Sequence, residues 1–191
     1  MIVDEGDHGF GWLDPDDKLE RCSHALLVEG KVWLVDAVFA DGVAERARAL
    51  GEPVGVIQLL DRHGRDCAAW SEGLGVPHHV VPSGALPFEF VPVVRSRWWR
   101  EVALWWPERR VLVCGDALGT AAYFRAGAER LAVHPLLRLR PPRALVRLEP
   151  EHVLCGHGAG VHEDAAAAVR EAIATARRRL PRAWLSSIRR G

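Results

Sequence analysis

With 191 residues, 49% of them hydrophobic and 26% charged, the chain has the length and balance of one globular domain that buries a core without disulfide or metal support. Its 25 basic and 25 acidic residues leave a formal net charge of +0, which excludes a bulk attraction to nucleic acid or anionic membranes. No apolar run reaches the roughly 20 residues of a membrane span.

In chain order, residues 1–22 are expected to form a flexible acidic segment, because Asp4, Glu5, Asp7 and Asp14 crowd it and such termini lie loosely on a surface. The start lacks a basic stretch followed by an apolar core, so no signal peptide is expected. Cys22, Cys67, Cys114 and Cys155 show no short paired spacing, and a cytoplasmic protein with reduced thiols is the expectation. Ala25–Val28 and Val32–Val35, split by Glu29-Gly30-Lys31, predict a β-hairpin. Asp41 is placed to cap a helix over Val43–Leu50, which Gly51 and Pro53 stop. Val54–Leu60 reads as a strand covered on both faces, followed by the polar run Asp61-Arg62-His63-Gly64-Arg65-Asp66-Cys67 and a short helix closed by Gly75.

His79–Val81 and Phe88–Val94 predict further strands. Trp99–Trp106 and Arg110–Cys114 predict a second hairpin, running out into Gly115-Asp116. Pro141-Pro142 suits the first turn of a helix. Val153–Cys155 predicts a buried strand ending in Gly156-His157-Gly158, and Glu163–Leu180 a helix stopped by Pro181. Residues 23–180 thus form the domain, and residues 181–191 a basic tail. Its Trp184, Leu185 and Ile188 are expected to dock onto the domain or onto a partner, a second copy included. Strands interleaved with helices give an α/β (α+β) domain with helices packed on its sheets.

Three apolar strands therefore end in side chains that bind metals or move protons: Asp61, His63, Asp66 and Cys67; then Asp116; then His157. Each also has a structural reading, Asp66 as a helix N-cap and His157 as a hydrogen-bonded turn residue. Cys67 or Cys114 beside His63 or His157 would suit metal-free nucleophilic chemistry, against the commoner inert core cysteine. Trp98, Trp99, Trp105 and Trp106 read as core cover rather than as a base-stacking platform. His78, His79 and His134 read as surface or loop residues, and His8 has no spacing that makes it a ligand.

The order of these segments resembles the metallo-β-lactamase superfamily. Ser23-His24-Ala25-Leu26-Leu27-Val28 with Trp33-Leu34-Val35-Asp36 is similar to the family's opening hairpin, Val113-Cys114-Gly115-Asp116 to its metal-bridging segment, and Val153-Leu154-Cys155-Gly156-His157-Gly158 to its last metal histidine. The resemblance spans about Ser23 to Val161 and implies a four-layer αββα sandwich with two metals between the sheet edges. The family's H-x-H-x-D-H loop is matched only with one inserted residue, which puts Asp61 and His63 in its two leading places. Anchored on Asp66 it reads Arg62, His63, Gly64, Arg65, Asp66, Cys67, and Arg97 falls where a further metal histidine is expected.

Arginine stays charged and cannot ligate a metal. The resemblance therefore implies a degenerate site, with Arg62 and Arg97 replacing metal charge by pairing with Asp66 and Asp116. A metal-free binding or scaffold domain, holding an anionic ligand between arginines, is the leading expectation. The alternative is a hydrolase of an ester, thioester or phosphoester with a rearranged single zinc, iron or manganese on His63, Cys67, Asp116 and His157, and Asp66 or Asp61 as general base.

Overall fold

A computed structural model describes residues 1–13, 17–62, 65–84 and 86–181. The first half of the chain forms β1 (Ile2–Gly6), β2 (Gly9–Leu13), β3 (Cys22–Val28), β4 (Lys31–Val35), α1 (Val43–Leu50), β5 (Glu52–Gln58), α2 (Cys67–Leu74) and β6 (His78–Val80). Its strands make one six-stranded sheet in chain order. The pairings from β1 to β4 are antiparallel, whereas β4–β5 and β5–β6 are parallel. The second half forms β7 (Glu89–Arg95), β8 (Arg100–Trp106), β9 (Val111–Cys114), β10 (Leu118–Gly119), β11 (Ala132–Val133), β12 (His152–Cys155) and α3 (Ala165–Thr175). Here the main sheet runs β12-β9-β8-β7, with β12 parallel to β9, while β10 and β11 pair separately.

Period-two alternation sorts the side chains into three layers of core. Leu26, Val35, Ile57, Leu104, Val113 and Leu154 meet between the two sheets. Ala25, Leu34 and Val56 point the other way, onto Val43, Ala47 and Trp70 of the first two helices. Ala103, Leu112, Cys114 and Val153 likewise face Ala165, Val169 and Ile173 of α3. Each strand with apolar residues on both faces is thus sandwiched, and each large side chain so buried contributes about 1.5–3 kcal/mol. This is the four-layer αββα arrangement expected from the sequence.

Both predicted hairpins form. Gly30, at φ 78°, makes the first turn, and a 3-10 turn over Pro107–Arg109 makes the second. Gly75 closes α2 in the left-handed conformation, φ 67°, as a C-terminal glycine should. Two expectations fail. The N-cap of α1 is Gly42 rather than Asp41. Within the segment 1–22, expected to be flexible, residues 2–13 are ordered: β1 and β2 extend the first sheet, and Phe10 and Trp12 belong to its outer core. An alternation only five residues long among acidic neighbours hid this pair. The expected tail beyond residue 181 lies outside the described residues.

The connection from β9 to β12 is held by a buried ion pair. Arg138 grips Glu129 with Nη1 at 3.1 Å and Nη2 at 2.7 Å, and Nη2 also donates to the Phe124 carbonyl. Both side chains are 0% exposed. Arg179, beyond α3, adds a contact at 3.2 Å to Glu129. Burial pushes the Glu129 carboxyl up, but hydrogen bonds from Arg138 and the Ala126 N–H hold it below the ordinary 4.5. The pair's stabilisation is therefore present above about pH 4.5 and is lost as pH falls through the lower folded value. Glu129→Ala leaves Arg138 charged and buried, and urea unfolding should show a loss of about 3–5 kcal/mol at neutral pH.

Candidate functional site

The carboxyl ends of β4, β5, β9 and β12 converge on one edge of the sandwich, where loops can approach while the sheets hold them. A cleft of about 420 Å³ opens there, lined among others by Arg62, Arg65, Asp116, Tyr123, His134 and His157. Its floor is the guanidinium of Arg65. Nη1 donates to the carbonyls of Cys22 at 2.7 Å and Asp36 at 3.2 Å, and Nη2 to that of Gly156 at 2.7 Å. One cation thus ties the start of β3 and the end of β4 to the end of β12.

Asp116 and His157, two of the ligands expected from the sequence, meet in this cleft with His157 Nε2 3.1 Å from Asp116 Oδ1. Nδ1 of His157 donates to the Leu19 carbonyl at 2.7 Å, which turns Nε2 inward. The Asp116 loop is set by Glu101, whose buried Oε1 accepts the N–H groups of Asp116 at 2.9 Å and Ala117 at 2.8 Å. Its Oε2 accepts Trp99 Nε1–H at 3.0 Å.

Across the cleft, His134 Nδ1 accepts the Leu136 N–H at 3.2 Å. In the neutral ring the proton is then on Nε2, which donates to the Tyr123 hydroxyl at 2.7 Å. That leaves the phenolic O–H to donate elsewhere. Burial raises the Tyr123 phenol further above its usual 10.0, so it stays a donor at neutral pH.

The other expected site residues lie apart. Asp61 accepts Arg100 through its backbone N–H at 3.0 Å and Nε at 2.9 Å. Asp66 accepts the Phe39 N–H at 2.8 Å and makes no side-chain cap to α2. Cys67 is buried in the outer core beside Trp70, and burial pushes its thiol up to about 12. Burial likewise raises Cys114 well above 9.0, so neither suits a thiolate nucleophile. His63 falls outside the described residues.

The arginine roles are also redistributed. Arg97 stacks over Trp98, 4.3 Å from the ring centroid, on a hairpin end where Trp98 is 73% exposed. Arg62 lies 4.2 Å over Trp99 at the cleft wall. It is Arg65 that carries fixed charge into the centre. Trp99, Trp105 and Trp106 are buried as expected, and Trp98 is not.

Sequence reasoning missed Arg65, Glu101, Tyr123 and His134. A carboxylate abutting the apolar run Val102–Trp106 was the one signal available for Glu101. Arg65 was visible only as a member of a polar loop, and His134, read as a surface residue, is 5% exposed.

Among the described residues lining the cleft, Asp116 and His157 meet as donors, while the third carboxylate, Asp17, is held by Arg21, both nitrogens of His134 are engaged, and the Arg65 cation opposes further positive charge. Arg65→Met should cost about 1.5–3 kcal/mol in urea unfolding, through lost charged hydrogen bonds. Arg97→Ala, which removes only an exposed stacking contact, should change stability by no more than about 1 kcal/mol in the same assay.

Comparisons with known proteins agree on the architecture. No family model matches the chain, and no curated protein matches it by sequence. Among solved structures, the DIM-1 metallo-β-lactamase exposed to ceftazidime is 14% identical over 92% of this chain and 97% of its own, with TM-score 0.62. The mono-zinc form of the metallo-β-lactamase FIM-1 from Pseudomonas aeruginosa is 9% identical, covers 93% and 96%, and has TM-score 0.60. The flavodiiron protein from Giardia intestinalis is 15% identical over 94% of this chain and 59% of its own, with TM-score 0.67. At these identities the likeness is one of fold, and the chain carries the metallo-β-lactamase fold.

Proposed function

We propose that this chain is a binding domain on a metallo-hydrolase-like fold, and that its cleft takes a small carboxylate or phosphate without hydrolysing it. The observation that carries this reading is the Arg65 guanidinium bonded to three strand-end carbonyls at the floor of the cleft. It supplies a permanent positive charge that needs no metal. Arg62 adds a second cation, stacked by one face on Trp99, whose N–H edge suits a bidentate oxyanion contact. The Tyr123 hydroxyl supplies a neutral donor.

A second reading, a metal-dependent hydrolase, is favoured by the 3.1 Å approach of His157 Nε2 to Asp116 Oδ1 and by the Leu19 carbonyl behind Nδ1. Carbonyl-backed histidines are usual at metal centres. Zinc, iron or manganese would there rest on Asp116 and His157; His63, the further donor expected from the sequence, lies outside the described residues. Asp61 and Asp66 are engaged by Arg100 and the Phe39 N–H, which weakens their case as general base.

Calorimetric titration with inorganic phosphate and with acetate should give saturable binding that Arg62→Ala weakens about tenfold or more. Arg97→Ala should leave it unchanged. Stoichiometric metal that disappears in His157→Ala, together with ester or phosphoester turnover, would sink the binding-domain reading in favour of the hydrolase.

A further inference from the structure

Beside the β3–β12 contact, where the Cys22 N–H donates to the Gly156 carbonyl and His24 to that of Cys155, three donor side chains of different chemistry converge. Asp4, Cys22 and His24 each offer a ligand atom, and these atoms all lie within 4.8 Å of one another. Cys22 and His24 are two residues apart on β3, so they share a face, and they are 0% and 1% exposed. The Asp4 side chain is 3% exposed. We infer that these three residues form a buried site for a zinc-type divalent cation, separate from the cleft.

Two buried polar atoms aim into the gap with no protein partner, Asp4 Oδ2 and His24 Nδ1. Leaving such atoms unsatisfied costs about 1–3 kcal/mol each, more when charged, so the arrangement calls for an occupant. The outward atoms of the same groups are fixed. His24 Nε2 donates to the Cys155 carbonyl at 3.1 Å, which leaves Nδ1 as a lone pair in the neutral ring. Asp4 Oδ1 accepts the Gly160 N–H at 2.7 Å and His162 Nε2 at 2.9 Å. Outer partners that orient the inner donor atoms in this way are the usual surroundings of a metal ligand.

The backbone is arranged around the same gap. Asp4 adopts the left-handed conformation, φ 52°, at an irregularity between Val3 and Gly6 where β1 slips against β2. A bulge of this kind re-aims a side chain, and it turns the carboxylate inward. Gly11, opposite His24 on β2, leaves the space open: a Cβ there would come within 2.9 Å of His24 Nδ1 and 3.3 Å of Asp4 Oδ2. Thiolate, imidazole and carboxylate together favour zinc over calcium or magnesium, with a fourth position for water. Burial raises the Cys22 thiol, so loading releases its proton to solvent as the sulfur–metal bond forms.

Full-length protein loaded with zinc or cobalt(II), desalted and assayed by elemental mass spectrometry should retain near-stoichiometric metal. The cobalt form should show a thiolate charge-transfer band in the near ultraviolet. Cys22→Ser and Gly11→Ala should abolish that band, His157→Ala should keep it, and His162→Ala, at a part-exposed position, should weaken binding roughly 10- to 100-fold. Should Cys22→Ser fail to fold, the wild-type band and its loss in Gly11→Ala decide. Wild-type protein that retains no metal and gives no band overturns the inference, with a bridging water as the occupant. So does metal that is lost in His157→Ala but kept in Cys22→Ser, which would assign it to the cleft.

Discussion

The contact on which the molecule's working edge depends is the guanidinium of Arg65, shared among the carbonyls of Cys22, Asp36 and Gly156. The Gly156 carbonyl also accepts the Cys22 N–H and the Asp36 carbonyl the Ser23 hydroxyl, and a planar five-donor cation reaches the remaining acceptor capacity of several carbonyls at once. Because Cys22 and Asp36 belong to one sheet's strand ends and Gly156 follows β12 in the other, this side chain fixes how far apart the sheets stand at the cleft. A carboxylate there would repel the same carbonyls, and a smaller side chain would not span them.

Everything else at this edge is arranged around that fixed charge. Glu101 pulls the Asp116 loop down through two backbone N–H groups, and the Leu19 carbonyl turns His157 toward Asp116. The residues supplying that carbonyl and the Arg21–Asp17 pair at the rim come from the N-terminal segment, so the cleft is built from both halves of the chain. Its polarity follows: basic at the floor and one wall, with a carboxylate–imidazole couple beside them.

The N-terminal strands have a second consequence. By adding β1 and β2 to the first sheet, the chain brings Asp4 over the same face as Cys22 and His24, and closes that face with the loop carrying Gly160 and His162. A short edge strand gains little from its own ladder. The polar contacts of Asp4 and the Arg46–Glu5 pair add to its ladder with β2, whose Phe10 and Trp12 insert into the outer core.

The layered fold was legible in the sequence because strands buried on both faces must read as apolar runs, and because β3–β4 and β8–β9 carry their turns beside them. The convergence of Asp116 and His157 was legible for the same reason, since each directly ends such a run. Local pattern could not disclose which arginine enters the cleft. Arg62, Arg65 and Arg97 are chemically alike, and only the packing of loops against strand ends decided that Arg65 reaches three carbonyls while the other two stack on tryptophans. The same holds for Asp4 with Cys22 and His24, or Tyr123 with His134. Residues far apart in the chain become neighbours through sheet order and register, which the sequence by itself determines only through the complete three-dimensional packing.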